Sequence, residues 1–169
     1  MVTSADVAAF RECLGHFPTG VTVVTARTEA GPVGFVVGSF FSVSLDPLLV
    51  GFAAGRNSST WAAIKLVGSF CVNILGTDQR ELSSQMSSPG DRFSGLSHSS
   101  APVSGAPVLD GVPAWVDCTI DAIHPAGDHD LLDVPVAVID IVVMNPHLAG
   151  LSLADAAQQD WTRGIYVRG

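Results

Sequence analysis

The chain has 169 residues and a formal net charge of -8, from 16 acidic against 8 basic side chains. Hydrophobic residues make up 47% of it and charged ones 14%, which excludes disorder and a coiled coil and supplies enough apolar surface for a single domain, residues 1–169. The acidic balance, unbroken by any cluster of Lys and Arg, excludes a nucleic-acid partner, and the lack of a long uncharged apolar run excludes a membrane-spanning helix.

Asp6 and Glu12 stand where a secretory signal needs a basic end and an apolar run, so a cytoplasmic protein is expected. So few charges on so apolar a chain imply surface hidden by a second copy, and a homodimer is expected. Cys13, Cys71 and Cys118 are far apart and lack CxxC spacing, and read as three buried thiols. His16, His98, His124, His129 and His147 show no ligand spacing, so no metal is expected.

In chain order, Val7, Phe10 and Leu14 recur at helical spacing behind Ser4 as a candidate cap, giving a short amphipathic helix over 5–16 that Pro18 and Gly20 stop. A β-branched run at 21–26, a turn at 29–32 and a second run at 33–43 form a hairpin, and residues 48–52 follow as a third strand. Residues 58–67 place Trp61, Ile64 and Val67 on one helical face, with Ser58 as the cap. Residues 70–75 are a nearly continuous apolar strand, and 78–86 read as a helix. The Ser-, Gly- and Pro-rich stretch 87–113 is a long loop of the kind that is often functional.

Val116, Cys118, Ile120 and Ala122 then alternate with Asp117, Thr119 and Asp121 as a half-buried strand. A turn at 126–129 leads to the last long strand, 134–144, where Pro135 suggests a late start or an edge. A short helix at 151–158 and a basic tail, Arg163-Gly164-Ile165-Tyr166, close the chain. Six or more strands without βαβ alternation, and without GxGxxG, a P-loop or GxSxG, imply a mainly antiparallel barrel with helices outside.

Four constellations could carry chemistry. Arg56, Ser58 and Thr60 bring a guanidinium and two hydroxyls to a helix start, where backbone N–H groups accept a phosphate; an ordinary cap with a surface Arg has the same sequence. Gly38-Ser39 interrupts a strand, as happens at a barrel corner or where a flat ligand lies on the backbone. Asn73 puts an amide inside an apolar strand, where it must find partners, most often backbone groups. His129, in the turn Gly127-Asp128-His129, can donate to an anionic or carbonyl group or simply be solvated.

Together the pieces resemble a known family. The order Phe10-Arg11, the run from His16 to Thr25, Gly38-Ser39-Phe40, Ser42 to Pro47, Arg56-x-Ser58-x-Thr60, Phe70-x-Val72-Asn73, Asp91-Arg92-Phe93, Gly105-Ala106-Pro107, Gly127-Asp128-His129 and Arg163-Gly164-x-Tyr166 is similar to the short-chain flavin reductases from about residue 8 to 166. The resemblance implies a Greek-key split β-barrel with short flanking helices, a homodimer, and the use of NADH or NADPH to reduce FAD or FMN, which often passes to a partner flavin-dependent monooxygenase.

It further implies that Gly38, Ser39 and Phe40 line the isoalloxazine and ribityl chain with Asn73 nearby, that Arg56, Ser58, Thr60 and Arg92 serve the phosphate, and that His129 sits at the nicotinamide face. Val36, Gly38 and Phe41 stand where relatives commonly have polar side chains, so weak, exchangeable flavin is expected. Two other functions fit the same barrel: an oxidoreductase with a fixed flavin acting on an organic substrate, and a non-redox binding protein.

Overall fold

The structure, a computed structural model, describes residues 3–140. The helix expected at 151–158, the tail at 163–166, His147 and the end of the strand expected to reach Met144 lie outside the described residues.

Helix α1 (Ser4–Gly15) is capped by Thr3 rather than Ser4. The Thr3 hydroxyl accepts from the Asp6 amide while the Asp6 carboxylate accepts from the Thr3 amide, a reciprocal pair available to Thr3 because Asp6 lies three residues on. The stripe of Val7, Phe10 and Leu14 is exposed.

The other elements are β1 (Thr22–Thr28), β2 (Gly31–Val37), β3 (Phe41–Leu45), β4 (Leu48–Gly55), α2 (Ser59–Val67), β5 (Ser69–Ile74), α3 (Arg80–Ser87), β6 (His98–Ser100), β7 (Pro107–Leu109), β8 (Ala114–Thr119), β9 (Ala122–Ala126) and β10 (His129–Asp140). The run expected at 33–43 is two strands. The Ser39 hydroxyl accepts from the Ala53 amide at 2.9 Å and donates to the Ala53 carbonyl at 3.3 Å, which takes the place of a ladder and turns the chain at residues 38–40.

All strand pairs among the described residues are antiparallel, in the order β2-β1-β5-β8-β10-β4-β3, with β9 added beside β10. Across the curled sheet Phe35 of β2 meets Phe52 of β4 edge-on at 6.2 Å, the contact of a nearly closed, split barrel. Phe52 also packs edge-on against Trp61 at 6.0 Å and Phe70 at 5.5 Å, so α2 seals the interior with Trp61 and Ile64. Gly68, in the left-handed conformation at φ 77°, ends α2 and turns the chain into β5.

The stretch 87–113 is more than a loop. It carries the β6–β7 hairpin and, with Met86 of α3, packs Ala101, Ala106, Val108, Leu109 and Val112 on the outer face of β1, β5 and β8. Those strands are therefore covered on both sides, which explains the nearly continuous apolar run at 70–75. It also corrects the placement of Asp117, expected to face water by alternation. Asp117 is fully buried beneath this lobe, accepting from the backbone N–H groups of Val103 at 2.8 Å and Ser104 at 3.2 Å.

Cys71 and Cys118 are buried as expected, and desolvation pushes both thiols far up from their ordinary range; Cys13 is exposed instead. Nor does Pro135 delay the last strand. β10 begins at His129 and passes through Pro135 opposite Leu49, where its pairing with β4 ends and, at Val136, pairing with β8 begins. A missing N–H is tolerated at such a handover between partners.

Candidate active site

Alternation along β4 turns Phe52 and Ala54 into the barrel and leaves Gly51, Ala53 and Gly55 on the other face. A Cβ on Gly51 would lie 2.8 Å from both the Phe41 ring and the Leu132 carbonyl oxygen, so the ring is seated directly on the backbone there. Beyond it the face stays low. A Cβ on Gly55 would come no nearer than 3.8 Å to any atom, that atom being Nε2 of His129, and His129 is the cross-strand partner of Gly55. The result is a shallow shelf over Ala53 and Gly55, walled by Phe41 at one end and His129 at the other, with Gly38 and Ser39 exposed along its rim.

Gly127, at φ 66°, makes the two-residue turn that places His129. The ring's Nδ1–H donates to the Asp128 carboxylate at 2.7 Å, and this bond holds the Asp128 carboxyl below the usual carboxylate range. In the neutral ring Nε2 is then an acceptor turned toward Gly55.

At the far end of β4 the chain enters α2. The Ser58 hydroxyl accepts from the Trp61 amide at 3.1 Å and serves as the cap, so its acceptor is engaged by the helix itself. Ser59 and Thr60 instead line a cleft of about 350 Å³ with Pro32, Gly34, Arg92 and Phe93. Arg92 is fixed there by the protein's own carbonyls: Nη1 donates to Gly34 O at 2.7 Å and Nε to Ser88 O at 2.9 Å, with Thr60 Oγ1 3.4 Å from Nη1. Arg56, in the turn between β4 and α2, has its Nε 3.3 Å from Asp130 Oδ1 and its Nη1 donating to Gly127 O at 3.4 Å.

Two expected cofactor residues belong elsewhere. Asn73 is fully buried on the side of β5 that faces the outer lobe, and its amide is consumed there. Nδ2 donates to Val23 O at 3.2 Å, Thr25 Oγ1 at 3.1 Å and Pro107 O at 3.2 Å, while Oδ1 accepts from Leu109 N at 2.8 Å. With both N–H groups engaged and the side chain sealed from solvent, this amide is spent on joining β5 to the lobe. The half-buried Phe40 ring packs against the barrel core. Val36 likewise joins the outer core, so its apolar side chain does not stand in the site at all.

Sequence reasoning missed Gly55 and Asp130. The small residues 51, 53 and 55 at period two were a legible signal for a flat face; nothing local distinguished Asp130 from a turn acid.

A bare stretch of backbone at Ala53 and Gly55, an imidazole beside it and a cleft that brings Arg92 to the start of α2 fit a flavin with its phosphate tail, and known proteins agree. The flavin reductase like domain matches residues 14–152. A flavin reductase of Pseudomonas putida is 43% identical over 129 residues, 75% of each chain. HsaB of Rhodococcus jostii, the reductase subunit of a flavin-dependent monooxygenase, is 41% identical over 73% of this chain and 64% of its own length. The structure of Streptomyces globisporus NADH:FAD oxidoreductase SgcE6 with NAD and FAD fragments superposes with a TM-score of 0.77, at 30% identity over 83% of this chain and 86% of that one. With barrel, shelf and cleft in place, the chain belongs to the flavin reductase-like family.

Proposed function

We propose that this protein is an NAD(P)H:flavin oxidoreductase, a single-domain cytoplasmic homodimer that supplies reduced FAD or FMN to a partner flavin-dependent monooxygenase. The observation that carries the reading is the pairing of Thr60 and Arg92 in one cleft with His129 over the bare backbone of Gly55. The flavin, when bound, supplies the chemistry by accepting a hydride from the nicotinamide, and the protein needs no nucleophile of its own.

Its residues bind, orient and exclude water. Arg92 and the α2 N–H groups take the phosphate, Ala53 and Gly55 let a ring lie against the backbone, and Phe41 closes the apolar end. His129 Nε2 accepts from the nicotinamide carboxamide and so orients the second ring. Few side chains on the shelf can hydrogen-bond a flavin, which supports a flavin that exchanges as a substrate. The homodimer is supported by the exposed Val7, Phe10, Leu14 and Phe17 of the N-terminal segment and by Phe41, Val43 and Leu45 of β3. Among the described residues no helix is long and apolar enough to cross a membrane.

The test is oxidation of NADH and NADPH, followed by near-ultraviolet absorbance, with FMN, FAD and riboflavin added in turn. Turnover is expected, with a higher KM for riboflavin, which has no phosphate for Arg92. Silence with every pair would end the proposal. In the same assay His129→Ala is expected to raise the KM for the nicotinamide about tenfold, the worth of one hydrogen bond, and to change kcat less. A fall in kcat at unchanged KM would remove the orienting role.

A further inference from the structure

Beyond the residues that meet the two rings, one buried carboxylate joins the places where they bind. Asp130 follows His129 on β10 but points to the opposite face and is 4% exposed. Its Oδ2 accepts from Trp61 Nε1 at 2.9 Å and from Lys65 Nζ at 3.0 Å, both on α2, while Arg56 Nε lies 3.3 Å from Oδ1. Lys65 also stands over the Trp61 ring, 5.4 Å from its centre. Arg56 is held to the same hairpin at two further points, its amide donating to Asp128 O at 3.0 Å and its Nη1 to Gly127 O.

Thus the helix whose first turn lines the phosphate cleft and the hairpin that carries His129 are bound together, and three of the links converge on one carboxylate. The indole and ammonium donors hold the Asp130 carboxyl below the usual carboxylate range, so it stays ionised and keeps all three at neutral pH.

We propose that Asp130 is the positioning residue that couples the two binding sites. A phosphate that fixes the start of α2 also fixes, through Trp61, Lys65 and Asp130, the hairpin and its imidazole. Flavin and nicotinamide therefore bind with positive coupling, and the rings meet at the spacing hydride transfer needs. This rests on the flavin reductase reading above. Charge alone predicts something different, because removing an anion beside Arg56 makes the cleft more positive and tightens a phosphate.

The experiment is a titration of FMN fluorescence by protein, with and without saturating NAD+, for the native chain, Asp130→Asn and Lys65→Met. In the native protein NAD+ is expected to tighten FMN about fivefold, a common size for coupling between sites. Asp130→Asn keeps an acceptor for Trp61 but loses the charge, and its coupling is expected to fall to about one. Lys65→Met removes only one of the three donors and is expected to retain part of it, which reads the effect in a chain with its buried carboxylate intact.

In single turnovers with saturating NADH, flavin reduction by Asp130→Asn is expected to slow about tenfold, with a larger isotope effect for 4-deuterated NADH. A native protein without coupling, or an Asp130→Asn protein that keeps it and loses only melting temperature, overturns the proposal. Failure of the native chain to bind FMN at all would instead overturn the functional reading on which it stands.

Discussion

Arg92→Ala is expected to raise the KM for FMN about tenfold to a hundredfold while leaving the KM for riboflavin nearly unchanged. The reasoning is local. A charge-assisted bond to phosphate is worth about 1.5–3 kcal/mol, and among the described residues the cleft that holds Thr60 is lined by no second guanidinium. Part of any loss could come from the wall, since Arg92 also ties Gly34 O and Ser88 O. Arg92→Lys separates the two: it restores the charge without the planar fork and should recover part of the FMN affinity. An equal rise for FMN and riboflavin would mean that Arg92 supports the wall and does not meet the phosphate.

Asn73→Ala is expected to have the largest effect on stability and little on catalysis. It leaves the Leu109 N–H without its partner in a site that water does not reach, whereas the Pro107 carbonyl keeps the Thr25 hydroxyl. At about 1–3 kcal/mol for a group so stranded, the expected fall in melting temperature is about 5 °C for a domain of this size. Thermal unfolding by circular dichroism measures the loss, and steady-state kinetics well below the transition should return a native KM for flavin. A KM that rises with no change in melting temperature would restore Asn73 to the cofactor site.

Asn73 also shows what a sequence can and cannot yield. Its setting, one amide in an apolar strand, announced a buried polar group with obligatory partners. Whether the partner was a ligand or a carbonyl depended on which layer covered β5, and that layer is the lobe at 87–113, whose Ser- and Gly-rich sequence lacks periodicity. Asp117 failed for the same reason: alternation assigns faces but cannot know that both are covered.

The barrel was more legible, because β-branched runs and the capped helix at Ser58 are local signals that the tertiary fold did not override. Thr60 and Arg92, 32 residues apart, were linked beforehand only by resemblance, and the cleft joins them by geometry. Asp130 was invisible, since its three donors come from two places 65 to 74 residues earlier in the chain.

The lobe at 87–113 has an apolar interior of its own and is hydrogen-bonded to the barrel by three side chains from the sheet, Thr25, Asn73 and Asp117. At its near end it supplies Gly90 to Phe93, the outer bank of the cleft. Such a layout makes the bank an exchangeable part. Lengthening the exposed turn at Gly95, where φ is 72°, would redraw the room left for a nucleotide tail while sparing every ladder of the sheet, so a shift in tail preference is a trait this scaffold can acquire without refolding its barrel.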